Sequence, residues 1–177
     1  DGGMIVTNNY KIYQWILKYR NHGMVDRDNI DIWGVNYRLQ PLQAIVAINR
    51  LKDLNSVIKI RNLNAKYLDK KLLSLYPNLK IPKRINDHVE TFSLYMVLAE
   101  DRDKLLKELI RKGIEAKVHY PTPLHKQKAY LRRFKEIKLP VSESQSKKLI
   151  TLPVHQFLKK NQLDYMIKII KDFYLTN

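Results

Sequence analysis

Gly113-Ile114-Glu115-Ala116-Lys117-Val118-His119-Tyr120-Pro121-Thr122-Pro123-Leu124-His125-Lys126-Gln127 sets a helix stop, a strand and a stiff loop side by side. Gly113 suits the left-handed conformation that ends helices. Ile114, Ala116 and Val118 alternate with Glu115 and Lys117, the period of a strand with one buried face. Pro121 and Pro123 then stiffen the backbone around His119, Tyr120 and His125. Two imidazoles and a phenol thus stand at a strand end, with little freedom left to lose on meeting a ligand. A packed aromatic corner would use the same residues.

Around this run the pattern is that of an α/β unit. Upstream, Leu79-Lys80-Ile81-Pro82 reads as an edge strand. Phe92, Leu94, Met96 and Leu98 read as the apolar face of a strand alternating with Ser93, Tyr95 and Val97. Asp101 is placed to cap a helix through Lys112, with Leu105, Leu106, Leu109 and Ile110 inside. Downstream, a basic irregular stretch over 122–138 holds a short helix near Gln127–Arg133. Ser142 is expected to cap a helix through Leu149, Leu152-Pro153-Val154 to be extended, and Asn161 to open a last helix.

The first part of the chain reads differently. Met4-Ile5-Val6-Thr7 looks like a short buried strand. Asn8 or Asn9 can cap a helix facing inward through Ile12, Trp15, Ile16 and Tyr19 and stopping at Gly23. Residues 24–35 are polar, a loop. Pro41 suits a first helical turn, and from it Leu42, Ile45, Ile48, Leu51, Leu54, Ile58, Ala65, Leu68 and Leu72 recur at helical spacing with no Gly or Pro before Pro77. A helix that long connects domains or forms a dimer contact.

Composition narrows the function classes. An apolar fraction of 45% is that of a folded protein, and no apolar run approaches the roughly 18 residues of a membrane span. The absence of cysteine removes disulfides, thiolate metal sites and cysteine nucleophiles and fits a cytoplasmic protein. A net charge of +16 attracts polyanions, but Lys and Arg are dispersed, without a long basic run. A nucleic-acid or polyanion-binding module therefore explains the charge and nothing else. His22, His88, His119, His125 and His155 show no metal-ligand spacing. No Gly-x-Ser-x-Gly elbow and no Gly-rich phosphate loop occurs. Asn36 and Arg38 stand just before the long helix, where an amide, a guanidinium and a helix N-terminus favour an anion; an Asn turn beside a surface Arg is the plainer alternative.

Several segments in order resemble one family. They are Asp1-Gly2-Gly3-Met4-Ile5-Val6-Thr7-Asn8, Arg20-Asn21-His22-Gly23, Gly34-Val35-Asn36-Tyr37-Arg38-Leu39, Arg102-Asp103 through Gly113-Ile114, Val118-His119-Tyr120-Pro121 with Pro123-Leu124-His125, Leu139-Pro140-Val141 with Glu143, and Leu152-Pro153-Val154-His155. Together they are similar to the C-terminal part of DegT/StrS-type sugar aminotransferases, fold type I enzymes that use pyridoxal 5'-phosphate (PLP). The resemblance implies an α/β architecture. Residues 1–40 would be a remnant of the large PLP-binding domain, with its last strand and helix. Residues 41–76 would be a long linking helix. Residues 77–177 would be a small C-terminal domain with a short, mainly antiparallel sheet and flanking helices. It also implies a homodimer with its active site at the interface, transfer of an amino group from L-glutamate to a nucleotide-linked keto-sugar, and no role for nucleic acid, membrane or metal. Asn36 would reach the cofactor phosphate of the neighbouring subunit; Arg38, His119, Tyr120 and His125 would lie at the substrate. The lysine that carries the cofactor would lie upstream of residue 1, so no catalytic residue is assigned and the chain alone is expected to be inactive. Pyridoxamine-phosphate-dependent sugar dehydratases and regulatory proteins are relatives that the visible residues do not separate. A stand-alone dimerisation or regulatory module built on the long helix is a further alternative.

Overall fold

The computed structural model describes residues 2–85 and 87–175. Contacts divide the chain into two units, Asp1–Leu54 and Asn55–Asn177.

In the first unit, helix α1 (Tyr10–Tyr19) starts where Asn9 Oδ1 accepts the backbone N–H groups of Lys11 and Ile12 at 3.0 and 3.2 Å. It closes at His22-Gly23, both left-handed. Helix α2 (Pro41–Lys52) opens on Pro41, and Gln43 Oε1 accepts the Gln40 N–H at 3.0 Å. The strand expected at Met4–Thr7 is not formed: these residues are exposed, Met4 at 85%. A strand requires a neighbour to pair its backbone groups, and no described residue provides one. The inward face expected for α1 is likewise open, with Trp15 50% exposed. Among the described residues of this unit only Gly23 is buried.

The long helical run has one interruption. It leaves α-helix at Asp53, then resumes as α3 (Leu54–Leu72) and ends in a 3-10 turn at Leu73–Leu75. Neither Gly nor Pro causes the break. Aspartate disfavours helix interiors because its carboxylate competes for local backbone donors.

The second unit holds a three-stranded antiparallel sheet of β1 (Leu79–Lys80), β2 (Tyr95–Ala99) and β3 (Leu149–Leu152), in the order β1-β2-β3. Register pairs Leu79 with Ala99, Tyr95 with Leu152 and Val97 with Ile150. Helices α4 (Arg102–Arg111), α5 (Lys128–Leu131), α6 (Pro140–Lys148) and α7 (Lys160–Leu175) complete it. The core joins Leu68 and Leu72 of α3, Leu105 and Leu109 of α4, and Leu163, Met166 and Ile170 of α7 to the sheet. Each fully buried aliphatic side chain there contributes about 1.5–3 kcal/mol.

Four expectations are corrected here. The fully buried face of β2 is Tyr95, Val97 and Ala99, while Leu94 is exposed and Met96 and Leu98 are half-buried. Tyr95 can turn inward because its hydroxyl donates to Asp69 at 2.6 Å, so no polar atom is buried unpaired. Ile114–Val118 runs extended but joins the sheet only through Lys117 and Thr151, whose N–H and C=O groups exchange bonds of 3.1 and 2.8 Å. Helix α6 begins at Pro140 with Leu139 in the cap position, so Ser142 lies within its first turn instead of capping it; Pro is preorganised for a first turn. In α4 Leu105 and Leu109 are buried as expected, but Arg102 is turned inward with them and Ile110 is exposed.

Arg102 is the packing choice no hydropathy pattern reveals. Its Nε meets Asp103 at 2.6 Å, and Nη1 donates to the carbonyls of Leu149 at 3.0 Å and Ser146 at 3.3 Å. It thereby locks α4 onto the α6–β3 junction. Replacing it by Leu strands those carbonyls. Arg102→Leu should destabilise the second unit by about 2–3 kcal/mol, read as a lower urea midpoint with an unchanged slope; an unchanged midpoint would show that the lock contributes nothing.

Candidate functional site

Two surfaces, one in each unit, carry the residues singled out by the sequence.

In the first unit a backbone knot presents Asn36 and Arg38. His22 N–H donates to Val35 O at 3.0 Å, Val35 N–H to Tyr19 O at 2.7 Å, and Tyr37 N–H to Arg20 O at 2.9 Å. Asn21 and Asn36 form an isolated bridge. Two glycines permit this approach. A Cβ on Gly34 would lie 2.2 Å from Gly23 N, and one on Gly23, at φ +76°, 1.6 Å from Ile32 O. The structure brings the Asn36 and Arg38 side chains together: Arg38 Nε donates to Asn36 Oδ1 at 3.0 Å. That bond turns the Asn36 carbonyl toward the guanidinium. Its Nδ2 donors and the terminal guanidinium nitrogens remain for a ligand. Both residues are exposed. An all-donor pair with one positive charge suits a phosphate or carboxylate oxygen.

In the second unit His119, Tyr120 and His125 part company. His119 is half-buried, its Nδ1 3.0 Å from Thr151 Oγ1, and it lines a groove of about 300 Å³ with Arg61, Phe92, Lys117 and His155. Tyr120 stacks edge-on against His119, with ring centres 5.5 Å apart, but is itself 74% exposed. It lines a second, larger groove of about 850 Å³ with Pro121, Pro123, Leu124 and Pro140. His125 is turned inward, only 4% exposed, with Nε2 3.0 Å from Glu143 Oε1. The same carboxylate oxygen accepts the Leu139 N–H at 2.9 Å, and Lys126 lies 3.8 Å away. Glu143 therefore ties the histidine loop to the start of α6. The Leu139 N–H and the His125 bond hold its carboxyl below the usual carboxylate range. Glu143 stood in the sequence motif without a role, and Thr151 was not singled out at all. A threonine in a strand carries no pattern that announces a histidine across the bridge.

Among the described residues no group of three or more metal-ligating side chains converges, and no helix is long and apolar enough to cross a membrane.

The fold is shared with aminotransferases. The structure of S. venezuelae DesV in complex with a ketimine intermediate superposes with a TM-score of 0.88 at 29% identity, covering 96% of this chain and 46% of that one. The sequence matches the DegT/DnrJ/EryC1/StrS aminotransferase family over residues 1–171, and the chain belongs to that family. It is 31% identical to the dTDP-3-amino-3,4,6-trideoxy-alpha-D-glucose transaminase of Streptomyces venezuelae, over 98% of this chain and 46% of that protein. It is also 31% identical to a pleiotropic regulatory protein of Geobacillus stearothermophilus, over 98% of this chain and 47% of that protein. The chain spans about half the length of the curated relatives it matches.

Two outcomes follow from the geometry. Gly34→Ala should break the knot, so that the amides of His22, Val35 and Tyr37 exchange with solvent at least about tenfold faster, equivalent to about 1.4 kcal/mol of local stability; unchanged protection would mean the close approach is not needed. Glu143, with its carboxyl pKa depressed by folding, contributes stability that is present above its unfolded value and lost as pH falls through the folded one. Denaturation midpoints between about pH 5 and pH 3 should therefore fall less steeply for Glu143→Gln than for the parent chain; parallel slopes would show the tie to be dispensable.

Proposed function

We propose that this chain is the C-terminal portion of a PLP-dependent aminotransferase that moves an amino group from L-glutamate onto a keto group of a nucleotide-linked sugar. The observation that carries the reading is the family match across residues 1–171, supported by the superposition on an aminotransferase at 29% identity. On this reading residues 1–40 belong to the large domain, 41–76 to the linking helix and 77–177 to the small domain, in a homodimer with shared active sites.

The chemistry of the donor set fits a cofactor phosphate. Asn36 donates through Nδ2 to a phosphate oxygen, and Arg38, already fixed by its bond to Asn36 Oδ1, adds charge beside it or holds the sugar nucleotide. When bound, the cofactor supplies the electron sink for moving the amino group. His119 offers Nε2 to a substrate oxygen while Thr151 holds its other nitrogen. Tyr120 forms an exposed wall of the sugar pocket. His125, spent on Glu143, positions the loop rather than touching the sugar. On this reading the cofactor lysine belongs to the half of the relatives' length that this chain does not span. The surplus of positive charge steers an anionic sugar nucleotide inward.

A second reading, a regulatory relative without transfer activity, is favoured by the similarity to the Geobacillus stearothermophilus regulatory protein. Borohydride reduction of the protein from its native cells, followed by intact mass, separates the two. A polypeptide about twice this length bearing a pyridoxyl adduct is expected; a longer one that never acquires an adduct would favour the regulatory reading. In the adduct-forming protein, Asn36→Ala should weaken PLP binding about tenfold, the equivalent of about 1.4 kcal/mol, and unchanged affinity would remove Asn36 from the phosphate.

A further inference from the structure

We propose that the groove beside His119 is an oxyanion site in which Arg61 takes the carboxylate or phosphate group of a small ligand. All its residues lie in the second unit; it shares His119 Nε2 with the proposed substrate site and in that respect rests on that reading, while anion binding itself is read without the transfer activity.

Arg61 projects from α3 and is half-buried. Its Nε donates to Gln156 Oε1 at 3.1 Å and its Nη1 to the Phe92 carbonyl at 3.4 Å. Both acceptors are neutral. Among the described residues no carboxylate pairs with it, whereas Arg84, Arg102 and Arg111 each have an acidic partner. A guanidinium has five N–H donors, so three remain on a fork whose plane two tethers already fix. Preorganised in this way, it loses little freedom on binding a planar or tetrahedral anion. Apolar neighbours Phe92, Leu94, Leu152 and Val154 line the same groove, and low-dielectric walls strengthen the attraction.

Two histidines complete the lining. The Phe157 N–H donates to His155 Nδ1 at 3.3 Å. Nδ1 therefore acts as acceptor, and the neutral ring carries its proton on Nε2, a donor without further protonation. His119, held through Nδ1 by Thr151, leaves Nε2 free. The one carboxylate in the lining, Glu115, is held by Lys117 at 2.6 Å, so that pair is neutral and Arg61 supplies the net charge. A volume near 300 Å³ accommodates a small molecule and excludes a folded partner.

Inorganic phosphate and glutarate, titrated separately into the full chain, test this through the imidazole carbon–proton resonances. Saturable shifts of His119 and His155, with His22 and His88 unmoved, are expected, and the tighter of the two anions identifies the group the site prefers. Arg61→Gln should weaken that binding about tenfold, with Arg61→Lys between, because an ammonium keeps the charge and loses the fork. No saturable shift with either anion, a common shift of all the histidines, or equal affinity in a folded Arg61→Gln would each overturn the site. Should Arg61→Gln fail to fold, the pattern of shifts in the parent chain decides alone.

Discussion

A phenol buried at the head of the central strand must find an acceptor, and much of the second unit is arranged around the one that Tyr95 finds. Its hydroxyl donates to Asp69 at 2.6 Å, and Asp69 is in turn held by Arg84 through two bonds of 3.1 Å. Arg84 lies over the rings of Phe92 and Tyr95, 5.0 and 5.3 Å from their centres. One carboxylate thus joins α3, the segment after β1 and the start of β2. Burial pushes the Tyr95 hydroxyl pKa far up, with Asp69 adding to it, so the phenol stays protonated and remains a donor throughout the physiological range. The apolar helices pack onto a sheet whose inward face this network has chosen.

The candidate ligand surfaces inherit their geometry from similarly local causes. Gly23 and Gly34 let two backbone segments come closer than any side chain would permit, and Asn36 with Arg38 emerges from that contact. In the second unit, Thr151 fixes His119 and Glu143 fixes His125, so two histidines separated by a few residues have different tasks. One faces a groove; the other is an internal tie.

Signals that act within one turn of the chain were legible. Asn9 caps α1, Gly113 ends α4 with φ +77°, and the apolar spacing of Leu105 and Leu109 marks the buried face of α4. Signals that depend on a distant partner were not. The strand over 94–99 is apolar on both sides, and its buried side is settled by Asp69, distant in sequence. Arg102 reads as a surface cation until the carbonyls of Ser146 and Leu149 are placed against it. Asp53 breaks a run in which periodicity alone sees no stop. The anion-binding reading of Asn36 and Arg38 could be made from residue types, but their mutual bond, which settles which atoms face outward, could not. Arg61 was invisible for the same reason, being one cation among many until it is seen that no carboxylate among the described residues pairs with it.

The uneven burial of the two units has an optical consequence. Both tryptophans, Trp15 and Trp33, lie in the first unit, 50% and 93% exposed. Half or more of each indole surface is open, Trp15 being stacked on Tyr19, and neither indole is part of the second unit's core. The aromatic groups that sense that core are tyrosine and phenylalanine, Tyr95 foremost. Near-ultraviolet dichroism of the tyrosines therefore follows the loss of the sheet, whereas the indoles belong to residues 2–54.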